Sequence, residues 1–130
     1  MTDGAQLLLG HATRSPRWDI PKGLADGGED FAHAAVRELR EETGLVAAST
    51  DFLGLGLHRY LRDKDLALFA WRPAVLPDPA SLHCGSFFTV GDASLPEFDR
   101  FGLFSWDDAL KRVGANMARV LSGVRDRLNV

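Results

Sequence analysis

The sequence predicts an α/β domain, and three observations carry that prediction. Short strand-like apolar runs lie on both sides of one long helical stretch; that stretch has acids at its start and Gly44 at its end; and Ser105 with Asp108 opens a second helical region near the C-terminus. Strands flanking a crossover helix, closed by a further helix, give a layered α/β domain.

In chain order, Gln6 to Ala12 reads as a strand and Thr13 to Asp19 as a polar loop. The turn-prone stretch Lys22 to Gly28 leads into a helix from Asp30 to Thr43. Asp30 and Glu29 place negative charge at the first turn, and Gly44 supplies a residue at which a helix stops readily. Ala32, Val36 and Leu39 form an apolar stripe that would seat this helix on a sheet. Phe52 to Leu61 and Leu66 to Trp71 are two strand-like runs joined by a turn at Arg62 to Asp65. Three prolines make Pro73 to Pro79 a loop. Ser86 to Val90 reads as a short strand, Gly91 to Asp99 as a surface loop and Arg100 to Phe104 as a last strand. The final helix starts at Ser105 and runs, with a break near Gly114, to about Leu128.

Composition bounds the rest. With 130 residues, 45% hydrophobic and 25% charged, the chain reads as one soluble domain, 1–130, with enough apolar residues for a core. The single Cys84 cannot form an internal disulfide, and neither a membrane-length apolar run nor a signal peptide is evident, so a cytoplasmic location is expected with no membrane partner. Cys84 reads as a structural thiol, and His11, His33, His58 and His83 lack metal-ligand spacing. A net charge of −3 argues against a dedicated nucleic-acid binder.

The chemistry concentrates in the stretch Gly23 to Leu45, which fits the pattern G-x5-E-x7-R-E-U-x-E-E-x-G-U, where U is a bulky aliphatic. Gly23, Glu29, Arg37, Glu38, Leu39, Glu41, Glu42, Gly44 and Leu45 fill its fixed positions. On a helix Glu38, Glu41 and Glu42 share one face and repel one another unless a cation lies between them. Mg²⁺ or Mn²⁺ suits that need, being a hard ion that takes carboxylate oxygens and bridges phosphates. An acidic amphipathic helix is ordinarily a solvated surface; here the glycine-bearing loop from Gly23 to Gly28 and the upstream Glu29 favour a site instead.

This pattern is the Nudix box, and the chain resembles the Nudix hydrolases, which cleave nucleoside diphosphates linked to another group. The resemblance implies an α/β/α sandwich around a mixed sheet, with Glu38 and Glu42 as central metal ligands, Glu41 sharing metal or water contacts, and the Gly23 carbonyl as a further ligand. Arg37 would orient the glutamates, and Glu29 would support the helix rather than bind metal. Trp18 to Gly23 resembles the W-x-x-P-K-G lead-in of enzymes acting on dinucleoside polyphosphates. Lys22, Trp18, Arg17 and Tyr60 are therefore candidate substrate contacts, each with an ordinary alternative: a solvated cation for Lys22 and Arg17, a core aromatic for Trp18 and Tyr60. Arg14, Arg59, Arg62 and Lys64 read as solvated charges that could also meet phosphate. Glu97 is the only glutamate after the box, and its place before the last strand resembles the family's extra metal ligand or general base. Leu103 departs from the pattern of the polyphosphate hydrolases, which carry tryptophan there.

The implied reaction is hydrolysis of a phosphoanhydride in a small nucleotide, a dinucleoside polyphosphate or nucleoside triphosphate, with ADP-ribose or a nucleotide sugar as the alternative. A nucleotide sensor without turnover is the alternative of another class. A second copy of the chain, as a homodimer, is left open as a partner. The resemblance also makes the first strand look missing. Asp3-Gly4 would form a hairpin turn before Gln6 to His11, only Met1 and Thr2 would stand before that turn, and Gln6 to His11 or its neighbour should carry unpaired backbone groups.

Overall fold

The computed structural model describes residues 1–23 and 28–128; residues 24–27, in the loop expected before the helix, and 129–130 lie outside the described residues. Among the described residues seven strands and three α-helices are formed: β1 (Gln6–Ala12), β2 (Trp18–Asp19), α1 (Phe31–Thr43), β3 (Phe52–Leu61), β4 (Lys64–Trp71), β5 (Phe87–Val90), β6 (Ala93–Pro96), β7 (Phe98–Ser105), α2 (Trp106–Arg112) and α3 (Ala115–Val124).

β1 is the centre of a three-stranded antiparallel sheet. β7 pairs along its whole length on one edge, from Gln6 opposite Ser105 to Ala12 opposite Phe98. β2 takes the other edge at Gly10 and His11, so the expected loop from Thr13 to Asp19 ends in a two-residue strand. Leu7 and Leu9 join a core with Trp106, Ala109, Met117 and Val120 of α2 and α3, while Leu8, on the opposite side of the pleat, is also fully buried. A strand covered on both faces loses the polar alternation of a surface strand, which is why QLLLGHA reads as a continuous apolar run.

The Asp3-Gly4 turn forms as expected. Gly4 has φ of 95°, the Asp3 carboxylate accepts from the amides of Ala5 (2.9 Å) and Gln6 (2.8 Å), and Thr2 bridges Leu7. The Met1 carbonyl accepts from the Leu8 amide at 3.0 Å, so β1 is paired on both edges. The expected unpaired groups on Gln6 to His11 are accordingly not found there. Thr2 also donates its amide to the Trp71 carbonyl at 3.1 Å, the one backbone bond between the β1 sheet and the β3–β4 hairpin among the described residues. The implied mixed sheet is thus interrupted between β1 and β4; every ladder observed is antiparallel.

Two further expectations are revised. The turn between β3 and β4 is tighter than Arg62 to Asp65, because Leu61 already pairs with Lys64. Gly91 to Asp99 is not a plain loop: β6 folds back on β5, from Phe87 opposite Pro96 to Val90 opposite Ala93, and β7 begins at Phe98. The C-terminal helix breaks as expected, with Ser105 capping α2 through the Asp108 amide (3.2 Å) and Gly114 at the start of α3.

Candidate active site

Helix α1 carries the site, and its ends are set locally. Asp30 is the N-cap, outside the first turn where it was expected, and its carboxylate accepts from the His33 amide at 2.8 Å. Gly44 takes the left-handed conformation, φ 81°, that ends the helix, and returns its amide to the Arg40 carbonyl at 2.8 Å. The loop from His83 to Gly85 satisfies two more carbonyls of the last turn: His83 donates to Thr43 (3.1 Å) and Gly85 to Glu41 (2.6 Å).

The face that α1 buries is not the one expected. Ala34, Leu39, Glu42 and Thr43 are buried, whereas Ala32 and Val36 are only half-buried. Glu42 therefore lies within the seated face, only 3% exposed. The three glutamates also divide. Glu41 is exposed with Arg37 at 3.2 Å, Glu38 is half-buried and held by the same guanidinium at 2.9 Å, and Glu42 is buried and hydrogen-bonded to Glu97. Helical spacing places the three carboxylates on neighbouring positions, but the partners they find separate them.

Arg37 organises the outer part of this cluster. Its Nε and Nη2 each donate to the Glu29 carboxylate at 3.0 Å, a bidentate pair, and its Nη1 reaches Glu38 at 2.9 Å and Glu41 at 3.2 Å. Gly23 meets the same group from the other side. A Cβ at position 23 would fall on the carboxylate of Glu38, so a larger residue here would have to displace that carboxylate or the main chain. On the inner side, the Lys22 amide donates to Glu42 Oε2 at 2.7 Å.

Glu97 reaches the cluster through the hairpin that sequence reading missed. Its amide donates to the Ser86 carbonyl (2.8 Å) and its carbonyl accepts from the Thr13 amide (3.1 Å), fixing the residue between β6 and β7. Cys84 helps to hold that junction, accepting from the Phe98 amide at 3.4 Å and donating to the Ser86 carbonyl at 3.2 Å. The clue that could have located it is the pair of apolar runs on either side of Gly91-Asp92, a turn dipeptide.

Electrostatics follow from this crowding. Burial first, then the hydrogen bond with Glu97 and the charges of Glu38 and Glu97, push Glu42 from 4.5 to about 10, against the opposing Lys22 amide. Burial likewise raises Glu38; Arg37 opposes it, and Glu41 and Glu97 add to it. Such a group of carboxylates is held together only by shared protons or a cation, and its hard oxygen donors suit Mg²⁺ or Mn²⁺. Among the described residues no three His, Cys, Asp or Glu side chains stand in an arrangement that could hold a metal ion.

The candidate substrate contacts fall into two groups, Lys22 with Tyr60 and Arg17 with Trp18. Lys22 lines a cavity of about 340 Å³ together with Gly23 and Glu38. Burial alone would lower its ammonium, but the charge and hydrogen bond of Asp19, 3.1 Å away, outweigh burial and raise it. Tyr60 packs against the core with Lys22 6.0 Å from its ring. Trp18 sits against the α2 end of the sheet, edge-on to Phe104 and His11, with Arg100 at 5.3 Å and Arg112 at 5.9 Å from its ring. Arg17 stands beside Gly114 at the start of α3. Trp18 and Arg17 thus line a different part of the molecule from Glu38, because pairing with His11 turns Trp18 toward the α2–α3 layer. Leu103, at the family's tryptophan position, lies opposite Leu8 in the β1–β7 ladder.

The comparisons with known proteins agree with this geometry. The chain is 36% identical over 69 residues to a putative 8-oxo-dGTP diphosphatase of Bacillus subtilis (strain 168), covering 53% of the chain and 46% of that protein. It is 41% identical over 51 residues to the RNA pyrophosphohydrolase of Sphingopyxis alaskensis, covering 39% of the chain and 32% of that protein. A chloroplastic Nudix hydrolase 27 of Arabidopsis thaliana is 61% identical over 31 residues, 24% of the chain and 14% of that protein. The chain thus spans less than half the length of these curated relatives. Among solved structures, a C. elegans Ap4A hydrolase in a binary complex superposes with a TM-score of 0.60 over 95% of the chain and 86% of that chain, at 23% identity. That likeness shows a shared fold, the α/β/α sandwich. The family model described as NUDIX domain matches residues 1–122, and with the box residues gathered around α1 the chain belongs to the NUDIX domain family.

Proposed function

We propose that the chain is a metal-dependent hydrolase that cleaves a phosphoanhydride bond in a nucleoside-diphosphate-linked substrate, with a dinucleoside polyphosphate or nucleoside triphosphate preferred. The observation that carries this reading is the group of Glu38, Glu42 and Glu97, in which Glu42 is buried and hydrogen-bonded to Glu97 and Glu38 lies against the Gly23 backbone. The B. subtilis and S. alaskensis relatives, named a diphosphatase and a pyrophosphohydrolase, support the same bond type.

Glu38 and Glu42, with the Gly23 carbonyl and Glu41, are the residues that would hold Mg²⁺ or Mn²⁺. Bound there, the ion supplies neutralisation of phosphate oxygens and a hydroxide at neutral pH. The chain's own groups do the rest. Arg37 fixes the directions of Glu29, Glu38 and Glu41 through charge-assisted bonds. Glu97, which shares a hydrogen bond with Glu42, is placed to accept or return a proton. Lys22, kept charged by Asp19, presents a cation at the cavity beside Glu38 for the outer phosphates.

The test is a panel of dinucleoside polyphosphates, nucleoside triphosphates, ADP-ribose and nucleotide sugars, incubated with Mg²⁺ or Mn²⁺ and resolved by chromatography. Release of phosphate-bearing fragments supports the hydrolase. Nucleotide binding with no product would instead assign a sensor.

A further inference from the structure

Of Glu38, Glu42 and Glu97, only Glu97 lies outside α1, so its place beside Glu42 depends on what ties the β6–β7 junction to that helix. The segment from His83 to Ser86 makes the tie. At one end its main chain is bonded to the last turn of α1, His83 to the Thr43 carbonyl at 3.1 Å and Gly85 to the Glu41 carbonyl at 2.6 Å. At the other end the Ser86 carbonyl accepts from the Glu97 amide at 2.8 Å.

Cys84 stands between these two ends. Its thiol donates to the same Ser86 carbonyl at 3.2 Å and accepts from the Phe98 amide at 3.4 Å. One sulfur atom thus bonds both the carbonyl that holds Glu97 and the residue that follows Glu97. Phe98 is 7% exposed, so water is a poor replacement for a partner lost there. We propose that Cys84 is a positioning residue for the hydrolysis: its sulfur locks the Glu97 main chain to the segment braced on α1, and so holds the Glu97 carboxyl group against Glu42.

The inference rests on the hydrolase reading above. A serine hydroxyl stands closer to its Cβ than a thiol does and bonds at about 2.7–3.0 Å, so at position 84 it is expected to keep one of the two bonds. Alanine keeps neither. The groups that would hold the metal, Glu38, Glu41, Glu42 and the Gly23 carbonyl, make no bond to the Cys84 sulfur and stay in place in both variants.

The experiment is a double-mutant cycle on the wild-type chain, Cys84→Ala, Glu97→Gln and the two combined. Each is assayed for kcat and KM on a dinucleoside polyphosphate with Mn²⁺, and amide exchange is read at Glu97 and Phe98. Cys84→Ala is expected to speed exchange at both amides at least about tenfold and to lower kcat by about tenfold or more, with KM and Mn²⁺ affinity within about twofold. In the Glu97→Gln background the same change should cost less than about twofold, since the group it positions is already gone. Cys84→Ser should recover part of the loss, and it takes the place of Cys84→Ala in the cycle if the alanine chain does not fold. An unchanged kcat in Cys84→Ala would overturn the proposal. So would an equal loss in both backgrounds, because a general loosening of the fold does not depend on Glu97. A wild-type chain that turns over no nucleotide would count against the hydrolase reading instead, and exchange at Glu97 would still decide whether the sulfur holds it.

Discussion

Glu42 and Glu97 face each other as a hydrogen-bonded pair of carboxyl groups, with Glu42 3% exposed and anchored by the Lys22 amide at 2.7 Å. Two carboxylates in so little water need a proton or a cation between them. Glu42→Gln keeps the shape and a hydrogen-bonding group but loses the charge that would hold a cation. Turnover in that variant should fall by at least about a hundredfold with the circular dichroism spectrum unchanged. Glu41→Gln should cost less, because Glu41 is 45% exposed and already turned to Arg37. Equal losses in the two variants would show that burial does not rank the glutamates.

Gly23→Ala places a methyl group on the Glu38 carboxylate. Either Glu38 swings away or the Pro21 to Gly23 main chain retreats, and both separate the carbonyl of residue 23 from the cluster. Activity should drop by about tenfold or more while global stability changes little, as read by steady-state kinetics and thermal melting. Wild-type turnover in this variant would mean that the close approach has no part in the chemistry.

The raised Glu42 links stability to pH and to metal. Between its ordinary 4.5 and about 10 the folded metal-free chain retains a proton that the unfolded chain has lost. Stability of the metal-free protein should therefore fall as pH rises through that window. Saturating Mg²⁺ replaces the proton with a cation and should flatten the fall. Denaturant unfolding at about pH 6 and about pH 9, with and without Mg²⁺, checks both parts. Metal-free stability that rises toward pH 9 would contradict the assignment.

Lys22 is the residue proposed to favour a polyphosphate substrate. Its ammonium, 3.1 Å from Asp19 and lining the same cavity as Glu38, offers one fixed cation to a chain of phosphates. A linear polyphosphate of three or more phosphates should be cleaved faster than ADP-ribose, and Lys22→Gln should narrow that difference mainly through KM. Faster cleavage of ADP-ribose than of any polyphosphate in the panel would refute the preference.

Helix α1 and strands β1 and β3 were legible from sequence because capping residues and apolar runs mark their ends locally. What failed depended on partners distant in sequence. β2 is two residues long and exists only because His11 and Gly10 are there to pair with it. Trp18 carries no local mark of the face it will take, and pairing with His11 decided it. Glu42 looked like its neighbours Glu38 and Glu41, since a charged residue on a helix is expected in solvent. Its burial became evident only once the Lys22 main chain and Glu97 were placed against it. The resemblance already set Glu38 and Glu42 apart from Glu41; that Glu42 alone of the three is buried required the fold.

Mn²⁺ binding to the wild-type chain and to Glu42→Gln, followed by electron paramagnetic resonance alongside hydrolysis of a dinucleoside polyphosphate, tests the central claim most directly. The account predicts that the wild-type chain binds Mn²⁺ and turns over only when it is bound. It also predicts that Glu42→Gln loses at least about tenfold in Mn²⁺ affinity together with its activity. Unchanged Mn²⁺ binding in Glu42→Gln, or hydrolysis by the wild-type chain in excess chelator, would contradict it.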